Sequence, residues 1–434
     1  MKNLSRILEV WAYGASLILI ASIPGLFIQF SDALLGSINR LIAGVVVLLW
    51  LLSVAAVGYL RRLHLFHWLS LAFALWYVIS LWWSVAPDDS PFLLGVVEGA
   101  ALTILIWEIY RSEARIQAAM QAFLLGGYVS VATTLGEFFQ GHQARHWEKR
   151  FAGGGFDPND IALLLAIGIP MAVYLAKCKP EPSFLRLLNF LYPIAAALGI
   201  ILSGSRGALL AAAPAYLFYL IALTQLKPQW RIAMAVVLVV VVIGVTQLDL
   251  SEPLQRLGTV ANSSSDDHFS GREDIWRAGW TVYGQHPLLG IGGGAFLSAT
   301  QPLNGQGMPL IAHNTYLSVL TELGPVGFLV FAALIATVVA SALRQPRLLQ
   351  QTCLLALLVW AIGVFALSWE FRSQTWFLFA LIVAAGHCES VPAGHSLFSA
   401  RGRLSASLED DAVSWRAAFR GKAFREKIPR EERP

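Results

Sequence analysis

Three residues combine a reactive side chain with a placement suited to handling charge or a proton: Arg206, Arg272 and His313. Arg206 lies in the turn Ser203-Gly204-Ser205-Arg206-Gly207, between two apolar runs. Glycine permits the positive φ that so tight a turn needs. The guanidinium is charged at every accessible pH and can grip phosphate oxygens two at a time. An arginine snorkelling from a helix end accounts for the residue equally well. Arg272 follows Ser270-Gly271 and precedes Glu273-Asp274-Ile275-Trp276. Ser270 with Glu273 reads as a capping box, which puts Arg272 in a first helical turn, where backbone N–H groups also favour an anion. Pairing with Glu273 or Asp274 on a solvated face is the simpler account. His313 opens an apolar run at His313-Asn314-Thr315-Tyr316, and imidazole is the side chain best matched to proton transfer near neutrality.

These residues belong to a chain that reads as membrane. It has 434 residues, 56% hydrophobic and 13% charged; soluble domains carry roughly 25% charged residues. The fold class expected is an all-α polytopic membrane protein. A span needs about 20 mostly apolar residues. The candidates are Ile7–Phe30, Ile38–Leu60, Phe66–Val85, Phe92–Tyr110, Ile116–Gln140, Ile161–Ala176, Phe184–Leu202, Ala208–Leu223, Ile232–Leu248, Thr315–Leu343, Leu349–Leu367 and Thr375–His387, roughly twelve transmembrane helices by that length rule. The first is read as a retained helix, since no small-residue cleavage site follows it. A partly helical loop, 249–314, separates spans nine and ten. Residues 1–388 form the membrane domain. The Ser-, Arg- and Glu-rich stretch 389–434 reads as a flexible tail.

Lys and Arg in short loops set orientation. Arg61, Arg62, Arg111, Arg115, Lys177, Arg186, Lys227, Arg231, Arg344 and Arg347 fall on one side, read as cytoplasmic with both termini; Arg40 is a small exception. The opposite side should then be poor in cations, yet it holds Arg145, Arg150, Arg206, Arg272, Arg277 and Arg372. Long loops translocate regardless of charge, which explains some of these and suits the compact SGSRG turn least. An anionic ligand at the outer face is the other explanation. Arg145, Arg150, Arg277 and Arg372, with Trp276, Asn314 and Tyr316, complete the expected substrate-binding set.

Other motifs carry less. Gly292-Gly293-Gly294 is improbable inside a helix and reads as a loop. The spacing in GIGGGA fits a dinucleotide fingerprint only loosely, and no βαβ unit surrounds it. His286 ends a helix before Pro287. Asp157 and Asp160 suit a cation, but Asn159 or Asp160 as a helix cap is the stronger reading. Glu322 lies about 13 Å along the helix from His313 and half a turn round it, so the two are not a direct pair; at that depth an acid needs a partner, here another helix. Cys178, Cys353 and Cys388 have neither disulfide nor metal spacing.

FDPNDIALLLAIGIP, SGSRGALLA, SGREDIWRAGW, HPLLGIGGGAF and HNTYLSVLTELGPVGF, in that order, together resemble the O-antigen ligase / Wzy-type polymerase family over roughly Gly153 to Phe328. Arg206, Arg272 and His313 match the family's functional positions. The resemblance implies an inverting, metal-independent glycosyltransferase of the bacterial inner membrane, active at the periplasmic face with no cofactor. Its partners would be an undecaprenyl-pyrophosphate-linked glycan donor, lipid A core or another glycan as acceptor, and the lipid bilayer, with no nucleic acid. Lipopolysaccharide O-antigen ligation is the reading preferred; polymerisation and protein O-glycosylation differ from it mainly in the acceptor. A flippase is the alternative of a different class and would show broken helices or internal repeats.

Overall fold

The computed structural model describes residues 2–25, 38–58, 60–85, 92–144, 150–153, 155–178, 184–246, 251–258, 272–304 and 310–388. The chain divides into units Met1–Cys388 and Glu389–Pro434. The second, expected as the tail, lies outside the described residues, as do Arg145 and the capping residue Ser270.

No strand occurs among the described residues. The helices are α1 (Lys2–Gly25), α2 (Ile38–Val57), α3 (Leu65–Ser80), α4 (Leu93–Ile109), α5 (Glu113–Gln140), α6 (Pro158–Cys178), α7 (Phe184–Ser203), α8 (Arg206–Thr224), α9 (Pro228–Thr246), α10 (Ser251–Gly258), α11 (Arg272–Gln285), α12 (Phe296–Thr300), α13 (Thr315–Leu343), α14 (Arg347–Gly363) and α15 (Ser373–Ala385). Every apolar stretch read as a span falls on one of α1–α9 or α13–α15. Among the described residues, eight helices are long and apolar enough to cross a bilayer, and α14 and α15 are apolar but shorter. The protein is thus an all-α, multi-pass membrane protein.

Two helices form its centre. Every residue of α15 from Gln374 to Ala385 is buried, and α6 is buried from Asp160 to Ala176. A helix that is apolar all round belongs inside a bundle. Helices α5, α7, α8 and α14 pack on α6, while α4 and α13 pack on α15. Close approach needs small residues, since helices in lipid have no hydrophobic drive to associate and rely heavily on van der Waals contact. Gly99 of α4 lies flat on the Trp376 indole, where a Cβ would come within 2.4 Å of the ring.

Hydrogen bonds sort the helix ends into two groups. At one end, the Arg61 guanidinium stacks 3.6 Å from the Trp107 ring centre and donates to the carbonyl of His387, while its backbone N–H donates to Glu108 at 2.7 Å. Arg344 meets His387 there at 3.1 Å, and Lys177 donates to Gln225 at 2.8 Å. At the other end lie Arg206, Arg372, Ser84 and the start of α13. The cations used to infer orientation are therefore gathered at the Arg61 end.

The expected span Leu349–Leu367 overruns its helix. α14 stops at Gly363, and residues 364–372 form a linker that is apolar in composition yet irregular in backbone. Thr315 explains the departure: its N–H donates to the Val364 carbonyl at 3.0 Å and its hydroxyl to that of Leu367 at 2.9 Å. Hydropathy cannot register carbonyls committed elsewhere.

α13 is two helices in one apolar run. Gly324 is non-helical (φ 63, ψ −171) and Pro325 has no N–H to donate. Three carbonyls at this break find partners outside the helix. Thr321 O accepts from Ile291 N–H at 3.0 Å, Glu322 O from Gly292 N–H at 2.9 Å, and Leu323 O from the Trp76 indole at 2.9 Å. Irregular backbone at membrane depth survives only when so satisfied.

Candidate active site

The turn between α7 and α8 is built from beneath. Arg150, expected to bind substrate, is only 3% exposed. Its Nε donates to Ser203 O at 2.8 Å and its Nη2 to Asn159 Oδ1 at 2.7 Å. A guanidinium there neutralises the carbonyl end of α7. Asn159 Oδ1 also accepts from Ser205 Oγ at 3.0 Å, while Ser205 Oγ caps α8 by accepting from Ala208 N–H. Gly204, at φ 59, makes the reversal. The first residue of α8 is then Arg206. Asp157, not Asn159 or Asp160, receives the Asn159 N–H, at 2.8 Å. Asp160 instead turns into the protein, accepting from the Trp369 indole at 2.7 Å and facing Arg372 at 3.7 Å.

Arg272 is the first residue of α11. It lines one cleft together with Arg206, Asn159, Ser205, Gly363 and Ala366, enclosing ≈ 370 Å³ of empty space open to solvent. Two guanidinium side chains from distant segments, with the first turn of α8 beside them, converge on one small polar recess. An anion is the ligand such a recess suits.

His313 stands beside this cleft rather than in its lining. It immediately precedes Asn314, whose Oδ1 caps α13 by accepting from Leu317 N–H at 3.1 Å. Trp276 of α11 donates its indole N–H to Ala312 O at 3.0 Å, and Tyr316 donates to Ala361 O at 3.1 Å. So Trp276, Asn314 and Tyr316, expected to touch substrate, use the polar atoms described here to fix the His313 segment. The end of α14 and the linker after it join both halves: Gly363, Ala366 and Leu367 line the arginine cleft, and Val364, Leu367 and Trp369 hold Thr315. Arg277 is exposed and meets Asp274 at 3.8 Å, the sort of surface pairing anticipated for Arg272.

The glycine motif forms a loop, as expected, and it is pressed into the protein. Gly290, Gly292 and Gly294 all have positive φ. Gly293 N–H donates to Ser80 Oγ at 2.9 Å, and Ser84 Oγ donates to Gly293 O at 3.1 Å. Glu322 holds the loop from the other side, accepting from Gly294 N–H at 2.9 Å and Phe296 N–H at 3.1 Å. Its partner is thus loop backbone and not a helix side chain.

A second recess, with room for ≈ 630 Å³, lies between α1, α2, α4, the start of α13 and the linker, and Arg372 reaches it. Sequence reasoning missed Glu370, Glu98 and Arg40 as members of its wall. A lone acid in the apolar stretch VFALSWEF was the signal available for Glu370.

The comparisons agree with the motifs. A search of curated proteins finds no match to the chain. Residues 191–332 match the family model of the O-antigen ligase (Wzy_C), a stretch that contains Arg206, Arg272, the glycine loop, His313 and Glu322. The chain therefore carries, over residues 191–332, a domain of the O-antigen ligase / Wzy family, set in an all-α polytopic membrane frame.

Proposed function

We propose that the protein transfers a glycan from undecaprenyl pyrophosphate to an acceptor hydroxyl at the periplasmic face of the inner membrane, with O-antigen ligation to lipid A core as the reaction. The family supports a transferase acting on lipid-linked glycan. The observation that carries the finer reading is the convergence of Arg206 and Arg272 on one cleft, since a pyrophosphate leaves readily once its charge is neutralised. In this mechanism the acceptor oxygen attacks the anomeric carbon. The bond to the pyrophosphate oxygen breaks with its electron pair, which the two guanidinium groups stabilise. His313 takes the hydroxyl proton. Direct displacement inverts the anomeric centre. Arginines supply the positive charge, so transfer should persist in EDTA.

Reconstitution tests this. The purified protein is given an undecaprenyl-pyrophosphate glycan with lipid A core, or the donor alone. Glycan on the core without chain growth supports ligation. Chain growth on the carrier turns the assignment to polymerisation, and transfer to a Ser- or Thr-bearing protein turns it to protein glycosylation. Translocation with no transfer would sink the enzyme reading. Flipping is the second reading because α13 is broken at Gly324, a feature of transporters. Against it, the carbonyls beside that break are bonded to the glycine loop and Trp76 rather than presented to a passing ligand.

A further inference from the structure

The cations gathered at the end opposite the arginine cleft have no role in the reaction proposed above. Three segments meet there: residues 61–64 before α3, Arg344 after α13 and His387 after α15. Trp107 of α4 is their common neighbour. The Arg61 guanidinium lies on its ring and donates to the carbonyls of Trp107, at 3.1 Å, and His387. The Trp107 indole N–H donates to Arg62 O at 3.1 Å and so fixes the backbone of the next residue. The His64 ring centre lies 4.5 Å from that of His387. His387 carries its proton on Nδ1, which faces Val383 O at 3.0 Å. Its Nε2 is then an acceptor, and Arg344 Nη1 donates to it at 3.1 Å.

These contacts order the cations without neutralising them, because indole, neutral imidazole and carbonyls carry no net charge. The carboxylate of this network, Glu108, is taken up by Arg111 at 2.6 Å and by the Arg61 backbone N–H. Arg62 and Arg344 are exposed and form no ion pair among the described residues. Two uncompensated guanidinium groups suit two negative charges. Apolar surface begins beside the same residues: Leu65, next to His64, Trp68, one turn on, and Leu343, next to Arg344, are all more than half exposed. A soluble anion has no use for that surface, whereas a phospholipid does. A zwitterionic head group brings a cation of its own to face the guanidinium groups. Basic pockets at the ends of membrane helices suit anionic head groups. We infer that the ends of α3, α13 and α15 bind an anionic phospholipid with two phosphodiesters, one phosphate against Arg62 and the other against Arg344. Its acyl chains start along Leu65, Trp68 and Leu343. The site stands whether or not the protein transfers glycan.

Native mass spectrometry of the full chain in detergent tests the site, with tetraoleoyl cardiolipin and dioleoyl phosphatidylethanolamine as probes. Wild type should retain cardiolipin at least about tenfold better than phosphatidylethanolamine. Arg62→Gln and Arg344→Gln should each lower cardiolipin retention about fivefold, the worth of one cation against an anionic lipid. The double variant should lower it by more than about tenfold, since the two losses add. Both arginines are exposed, so the fold survives their replacement. Lys227→Gln removes an exposed cation from the loop after α8 and should leave retention unchanged, as should a large excess of inorganic phosphate. Displacement by phosphate would assign the cations to a soluble anion. An equal loss in Lys227→Gln would reduce the effect to diffuse surface charge. Either result overturns the site, as does equal retention of the two lipids or cardiolipin retention indifferent to both arginines.

Discussion

His313 is the one described residue other than glycine whose backbone lies in the left-handed region, at φ 45. That conformation costs an ordinary L-residue about 1–2 kcal/mol, while asparagine adopts it more readily. The two obvious substitutions should therefore behave differently. His313→Asn removes the imidazole and keeps the turn, so transfer should fall roughly 10²–10⁴-fold, the range for losing a general base, with melting temperature and donor binding unchanged. His313→Ala should lose the same activity and some stability. Full activity in His313→Asn would remove the residue from the mechanism. Type and position made His313 visible in the sequence, but its strained backbone was not, because a positive φ outside glycine leaves no mark in composition. Glu370 was overlooked for the converse reason: apolar neighbours hid it, and only three-dimensional contact with Ser318, Glu322 and Arg372 gives it meaning. Burial pushes its carboxyl up to about 7, against the opposing pull of the Ser318 and Thr315 hydroxyls and of Arg372. A carboxyl raised by folding stabilises the protonated native state. That contribution is complete below the unfolded value near 4.5 and disappears as pH rises through about 7. A tenfold change in proton affinity on folding is worth about 1.4 kcal/mol. The melting temperature should therefore fall between pH 5 and pH 8 in wild type and fall less in Glu370→Gln. Thermal denaturation in detergent at both pH values decides it, and equal slopes would exclude Glu370 as the titrating group.

At the scale of elements, the glycine loop and the break in α13 are one construction. The break frees carbonyls, the loop supplies N–H groups, and the Glu322 carboxylate takes two further N–H groups from the loop. Glutamine at 322 keeps the shape but has a single acceptor oxygen, so one loop N–H is left facing an amide donor. Glu322→Gln should destabilise the protein by about 1–3 kcal/mol, the penalty for a buried unpaired group. Gly292→Ala should be at least as damaging, since its backbone sits at φ 90 and a Cβ would lie 2.2 Å from Ser84 Cα. Melting temperatures of both variants check this, and values within a degree of wild type would dissociate the loop from the stability of α13. The sequence showed both parts and hid their union. Three glycines announced a loop, and Gly324-Pro325 is a recognisable punctuation mark. Hydropathy ran on through Thr315–Leu343 all the same, because an apolar composition is indifferent to whether the helix is continuous. The linker after α14 escaped for the same reason.

For the whole molecule, the frame was the most legible part: apolar runs of the right length placed every helix from α1 to α9 and from α13 to α15. Less legible was which helices lie inside. α15 is shorter than a full span, yet it is the most completely buried, and burial among helices is a property of neighbours. Charge placement divided the chain into two faces, and the observed bonds gather Arg61, Glu108, Arg344 and His387 at one end and Arg150, Asn159, Arg206 and Arg372 at the other. The proposed sidedness rests on the excess of Lys and Arg at the Arg61 end, and the proposed reaction depends on it, because that reaction draws on a periplasmic donor. Single cysteines settle the matter, in a background with Cys178, Cys353 and Cys388 replaced by alanine. Arg277 is exposed on α11, the helix that Arg272 begins, His286 is exposed just after that helix ends, and Lys227 is exposed beyond the opposite end of α8. In spheroplasts an impermeant maleimide should label Arg277→Cys and His286→Cys directly, and Lys227→Cys only after lysis. The reverse pattern would put Arg206, Arg272 and His313 in the cytoplasm, away from any periplasmic donor. The geometry of the cleft would survive that result, but the reaction assigned to it would not.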